Sequence, residues 1–371
     1  MENSELRGST AAGAATNAKP TVCFLGPVAS YTHQATLDTF SEDKFDLIPV
    51  ETIKDIFTTT QSGRADYGVV PFENSSNGSV VFTLDQFADR AGECPDVSVC
   101  AEIYLDVHHC LLGRVPSSQP QPSVSSSVAA AAAAPEVKPP LLHDVTRVKR
   151  VYSHPQAFGQ CVKFLRTHLR GVETVDVSST SRAAELARAD PSGESAAVSS
   201  AAAARQLGLD VLARNIEDRD DNTTRFFVLR RGGGGGGWDD GGGDPEWLVE
   251  RGRSREASHD AAATTREEEE EEEEPPKAPT YSRSKSLASF TVPHRHPGAL
   301  ADVLDCFRRA RLNLTSINSR PSLAAPFRYV FFVEFEGHRR DDPEGRVRAV
   351  LDDVANVAST ARWLGSWACM R

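Results

Sequence analysis

The sequence predicts an α/β protein: two parallel-sheet lobes followed by a ferredoxin-like βαββαβ sandwich. Three observations carry this. Short apolar runs alternate with helical patterns from residue 20 to about 231. Two low-complexity stretches, 115–140 and 232–284, cut the chain into three blocks. The block after residue 285 orders as strand, helix, strand, strand, helix, strand.

In the first block Thr21 to Leu25 reads as a buried strand, and Gly26-Pro27 turns. Ser30 to Leu37 starts a helix. Tyr67 to Pro71 is a strand, Ser79 to Asp89 a helix, and Ile103 to Val107 a strand. In the second block the strands Val148 to Tyr152, Thr174 to Val177 and Ala196 to Ser199 alternate with the helices Pro155 to Leu169, Ser181 to Ala189 and Ala201 to Leu207. Strands separated by helices call for parallel pairing. The lobes are then about 20–113 plus 203–231, and 148–202, with 114–147 inserted. Ligands on such lobes sit beyond the carboxyl ends of the strands. In the third block Leu287 to Val292 is a strand, and His296 to Leu300 opens a helix whose Leu300, Val303, Leu304 and Phe307 share a face. Leu312 to Ile317 and Tyr329 to Phe335 are strands, Val347 to Val357 a helix, and Ala361 to Leu364 a last strand. These apolar faces read as core.

A chain of 371 residues suggests two domains plus linkers. Residues 232–284 contain fifteen acidic and six basic side chains, including Glu267 to Glu274, and so carry −9 of the formal net charge of −11. The acidity belongs to a disordered Gly/Glu-rich linker, which leaves the blocks free to be joined loosely. No basic patch with interleaved aromatics points to nucleic acid. No apolar run is long enough to span a bilayer. Seven scattered cysteines without a Cys-x-x-Cys pair fit a reducing, cytoplasmic compartment. Met1 to Lys19 reads as a disordered tail. Val115 to Pro140, with Ala129 to Ala134, reads as a solvent-exposed insertion.

The stretch Asn222-Thr223-Thr224-Arg225-Phe226-Phe227-Val228-Leu229 places a hydroxyl beside a fixed cation at the mouth of an apolar strand. Arg225 can hold a carboxylate through a planar fork, and Thr224 can give or take a proton beside it. Similar groups recur at other strand ends: Ser30 after Gly26-Pro27, Glu73 and Asn74 before Gly78, Ser153 before Pro155, and Thr180 within Ser178 to Ser181. Helix starts favour anions, so several around one cleft suit a dicarboxylate. Taken singly, each Ser, Thr or Asn here is an ordinary cap or turn residue. His108 and His109 are adjacent on a strand, point opposite ways and do not share a metal ion easily, so metal catalysis is not expected.

Six stretches in order resemble prephenate dehydratase carrying a C-terminal regulatory ACT domain. They are FLGPVASYTHQAT (24–36), GVVPFENSSNGSV (68–80), HHCLL (108–112), VYSHPQAFGQC (151–161), STSRAAELA (179–187) and NTTRFFVL (222–229). The resemblance covers all but the N-terminal tail and the two low-complexity insertions. It implies a two-lobed catalytic region like periplasmic binding proteins, with prephenate in the cleft and no metal or redox cofactor. Thr224 falls on the family's catalytic hydroxyl, with Glu73 and Asn74 beside it. Arg225, Phe226, Ser153, Gln156, Gln160, Ser30 and Thr180 are then the expected substrate contacts. Some relatives carry a carboxylate where this chain has Ser178.

In the third block PGAL and LTSINSRPS resemble the phenylalanine-binding loops of ACT domains. The implied effector contacts are Gly298, Ala299 and Leu300 from one subunit, facing Asn313, Leu314, Thr315, Asn318, Ser319 and Arg320 of its neighbour. Relatives usually have Glu in place of Asn318, so the loop has lost a charge. Such domains pair side by side, which implies a homodimer or homotetramer. Two other readings stay open. One is arogenate dehydratase, which uses the same framework. The other is a non-enzymatic anion and amino-acid sensor, against which the intact Thr224-Arg225-Phe226 argues.

Overall fold

The structure, a computed structural model, describes residues 19–115, 141–232 and 284–370. The N-terminal tail, the Ala129 to Ala134 run and the Gly/Glu-rich segment lie outside the described residues. The first lobe is a sheet ordered Asp46–Val50, Thr21–Leu25, Tyr67–Asn74, Thr223–Arg231, Val97–Asp106. The second is ordered Asp210–Ala213, Cys110–Gly113, Ser195–Ser199, Arg150–Ser153, Glu173–Asp176.

Neither lobe is wholly parallel. Thr223–Arg231 runs against both its neighbours, and so does Cys110–Gly113. Each of these strands arrives directly from the other lobe, without the crossover helix that parallel pairing needs. The lobe boundaries move accordingly. Cys110–Gly113, the helix Ala201–Leu207 and Asp210–Ala213 belong to the second lobe, and the chain crosses at 107–109 and 214–222. Residues 141–148 also pack there, with Val145 and Val148 in its core.

Several helices start where hydroxyl caps predict. Ser30, Ser179 and Ser200 each accept a backbone N–H of the first turn. The expected Pro155 to Leu169 helix is instead two, Pro155–Gly159 and Val162–His168. The second crossing segment enters the break: the Asp218 N–H donates to the Gln160 carbonyl at 2.6 Å, and its carboxylate accepts from the Lys163 N–H at 2.9 Å.

The C-terminal block is a βαββαβ sandwich. Its sheet is ordered Leu314–Pro321, Tyr329–Glu336, Ser284–Thr291, Thr360–Ala368, and the helices Ala299–Arg309 and Arg346–Val357 pack against it. It is not loosely joined. Gly365 pairs with Val99 and carries the first lobe's sheet into this one. At Gly365, φ is +138° and a Cβ would lie 2.1 Å from the Val99 carbonyl oxygen, so only glycine permits the approach. Leu287, Phe332, Leu364 and Trp367 share one core with Phe72 and Phe227. The Phe227 ring stacks 4.0 Å from Phe72 and meets Trp367 edge-on at 5.0 Å.

Candidate active site

The site forms where Tyr67–Asn74 ends and Thr223–Arg231 begins, with Thr224 directly opposite Asn74. The turn after Asn74 fixes that amide. Its Oδ1 accepts the N–H groups of Ser76 and Asn77, both at 3.0 Å. Nδ2 therefore faces the other way and donates to Asn222 Oδ1 at 2.7 Å and to Thr224 Oγ at 3.0 Å. Because the Thr224 oxygen accepts this bond, its own proton is left to donate. Ser75 secures the pair of strands: its Oγ donates to the Asp221 carbonyl and accepts from the Thr223 N–H, each at 3.0 Å.

Arg225 does other work than expected. Cross-strand pairs share a face, and neighbours along a strand do not. Thr224 meets Asn74 on one face, and Arg225 meets Glu73 on the other. There the guanidinium lies 2.9 Å from Glu73, 2.8 Å from Glu334 of the C-terminal sandwich and 3.5 Å from Glu102. It also lies over the Phe72 and Phe227 rings. Lys285 completes the cluster at 3.4 Å from Glu102 and 3.6 Å from Glu334. Burial opposes charge on Arg225, but Glu334 and the other carboxylates outweigh it, and the net shift is upward. Arg225 is thus a junction between the catalytic strand and the C-terminal domain, not a free carboxylate fork. Phe226 is likewise turned into the core of the first lobe.

The remaining expected contacts divide. Ser30 caps its helix, donates to the Leu25 carbonyl at 3.1 Å and has no proton to spare. Ser153 is fully buried and donates to the Val198 carbonyl at 2.9 Å. Thr180 is the first residue of the helix that Ser179 caps. Gln156 is exposed beside the Pro155 helix start.

Gln160 is held at the lobe junction by a chain that sequence reasoning missed. Gln160 Oε1 accepts from His109 Nε2 at 2.8 Å, which leaves His109 Nδ1 to accept from the Tyr31 hydroxyl at 2.7 Å. Burial pushes the His109 pKa down and the Tyr31 pKa well up, so both stay neutral. Glu217 joins the same crossing, bound to His108 Nδ1 and to the His109 N–H, both at 2.8 Å. Two histidines followed by apolar residues gave a usable signal for this junction. Glu102 and Glu334 also carried one, as lone carboxylates among buried strand residues.

In the C-terminal domain Gly298 precedes the Ala299–Arg309 helix with φ at +87°, Ala299 is buried, and Leu300 packs on the core. Asn313 and Ser319 are exposed, and Leu314 packs partly on the core. Of the other three expected effector residues, Thr315 bonds within the C-terminal domain, and Asn318 and Arg320 reach the first lobe of their own chain. Thr315 Oγ donates to Glu334 at 2.6 Å. Asn318 Oδ1 accepts from Ser79 Oγ at 2.9 Å. Arg320 forks onto Asp85 at 2.8 and 3.0 Å.

Comparison with known proteins gives this geometry a family. Residues 22–233 match the family model described as prephenate dehydratase. The bifunctional chorismate mutase/prephenate dehydratase of Aquifex aeolicus is 33% identical over 346 residues, 93% of this chain and 73% of that protein. The prephenate dehydratase of Amycolatopsis methanolica is 30% identical over 349 residues, 94% of this chain and 88% of its own. Among solved structures, prephenate dehydratase from Arthrobacter aurescens in complex with L-Phe superposes with a TM-score of 0.67 at 26% identity, covering 94% of this chain and 90% of that one. The Staphylococcus aureus enzyme, 20% identical with a TM-score of 0.61, shares the fold. A family model spanning more than half of the sequence, and relatives aligned along nearly all of it, agree: the chain belongs to the prephenate dehydratase family.

Proposed function

We propose that the protein converts prephenate to phenylpyruvate, with loss of carbon dioxide and water, on the way to L-phenylalanine. The observation that carries this is the Thr224 hydroxyl, whose oxygen accepts from Asn74 and whose own proton is left to donate. In the reaction the ring carboxylate leaves as carbon dioxide, and its bonding electrons complete the aromatic ring. The ring carbon–oxygen bond breaks, and the hydroxide departs as water with a proton taken from solvent. A hydrogen bond from Thr224 stabilises charge developing on that oxygen. Threonine is a very weak acid, so polarisation of the oxygen is its contribution. The ring's gain of aromaticity supplies the driving force. Asn74 positions Thr224, and Glu73 holds the neighbouring strand through Arg225.

Phenylalanine is proposed to bind the ACT-like C-terminal domain and restrain the enzyme. The bonds of Asn318 to Ser79 and of Arg320 to Asp85 give that strand a physical connection to the catalytic lobe, and Thr315 bonds Glu334, which in turn holds Arg225. Pairing of two or four copies through this domain is supported by Ile317, Leu323 and Phe327, which are exposed on its edge strand and the hairpin beyond. No helix among the described residues is long and apolar enough to cross a membrane, and the cysteine usage supports a cytoplasmic enzyme. The test is purified protein given prephenate and, separately, arogenate, following phenylpyruvate and phenylalanine. Faster formation of phenylpyruvate supports the proposal. Preference for arogenate reassigns the substrate, and inertness to both leaves a binding protein.

A further inference from the structure

We propose that Asn222 is a substrate-binding residue whose side-chain N–H donates to a carboxylate of the substrate beside Thr224. The inference rests on the dehydratase reading and names a contact within that same site.

The argument begins with hydrogen-bond orientation. Asn222 is 3% exposed, and its Nδ2 has no partner in the protein. Turning the amide over does not cure this. Asn74 Oδ1 is committed to the N–H groups of Ser76 and Asn77, so Asn74 Nδ2 must face Asn222. A reversed Asn222 would set one NH2 against another. The network therefore forces Oδ1 toward Asn74 and leaves Nδ2 over. A buried amide N–H without an acceptor is costly, and such groups call for a functional partner.

The position fits one. Asn222 Oδ1 and Thr224 Oγ lie 2.7 and 3.0 Å from the same Asn74 nitrogen. The Asn222 amide and the Thr224 hydroxyl are thus neighbours around one Asn74 nitrogen. An amide N–H does not transfer a proton, whereas it binds a carboxylate well. The site also lacks the donor expected for that anion, because Arg225 is bound to Glu73 and Glu334 on the opposite face of its strand. Thr224 then serves the leaving oxygen, and Asn222 holds a neighbouring carboxylate in both ground state and transition state. Binding of that kind appears in KM more than in kcat.

Two variants of the full chain separate this from a purely structural role. Asn222→Asp keeps the size and the acceptor for Asn74 but removes the N–H. Asn222→Ala removes both. With prephenate, each is expected to raise KM about 10- to 100-fold, the effect of losing one hydrogen bond to a charged group. Asn222→Asp is also expected to keep kcat within about threefold, since Asn74 stays oriented. A residue that only steadied Asn74 would leave Asn222→Asp like the wild type, and Asn222→Ala would lower kcat at unchanged KM. That pattern overturns the inference. Should Asn222→Asp fail to fold, Asn222→Ala decides alone, and an unchanged KM overturns the inference. A wild-type protein inert to prephenate overturns the dehydratase reading and this contact together, whereas an active wild type with insensitive variants overturns only the contact.

Discussion

Thr224 and Arg225 are adjacent in sequence but serve opposite faces of one strand. Thr224 meets Asn74 at the mouth of the site, while Arg225 meets Glu73, Glu102 and Glu334 beneath it. Glu334 takes Arg225 Nη1 with both oxygens, at 3.0 and 2.8 Å, in a buried site, and losing such charge-assisted bonds costs more than an exposed ion pair returns. Glu334→Gln is therefore expected to lower unfolding stability by on the order of 3 kcal/mol, measured by urea titration. Arg225→Lys is expected to act in the same direction, with KM for prephenate within about twofold of wild type, because the planar fork grips carboxylates of the protein. A large rise in KM in steady-state assays would return Arg225 to the substrate. Thr224, Asn74 and Glu73 were legible as a group because their motifs stand at strand ends. The destination of Arg225 was not. Strand alternation already set it apart from Thr224, but nothing local in the sequence says that another domain covers that face.

The elements that decide the site's shape are the two crossings, 107–109 and 214–222. His109 sits in the first, buried between Tyr31 and Gln160, and its pKa is lowered below its ordinary 6.5. The unfolded chain takes up a proton near 6.5, and the folded chain resists it. The stability this neutral histidine permits is full above about pH 6.5 and declines as pH falls below it. His33, also lowered by burial, adds in the same sense. His109→Gln is expected to flatten the fall in melting temperature between about pH 7.5 and pH 5, compared by calorimetry with the wild type. An equal slope in both proteins would remove His109 from the acid response. Caps at Ser30, Ser179 and Ser200 could be read locally, because each bonds within its own first turn. The helix break at Gln160 could not, since Asp218 reaches it from the other crossing.

At the scale of the whole molecule, the first lobe and the C-terminal sandwich share a sheet junction, a core and a buried charge cluster. Arg362 adds bonds to the carbonyls of Cys94, Pro95 and Val97. Contact between the domains therefore rests on packed surfaces rather than on the tether. Replacing Gly232 to Thr280 by a short flexible linker is expected to preserve both turnover and its response to phenylalanine, read by titrating phenylalanine into the two proteins. Loss of activity with several linker lengths would give the segment a structural role. The order of sheets and helices followed from apolar periodicity, but the closeness of the domains did not, because the low-complexity stretch between them suggests a loose joint. The most direct test of the account is the rate of phenylpyruvate formation from prephenate by wild type and by Thr224→Val, which keeps the shape and removes the hydroxyl. A fall in kcat of about 100- to 10,000-fold, with an unchanged melting temperature, is the expected result. A folded Thr224→Val protein within a few-fold of wild type would contradict it.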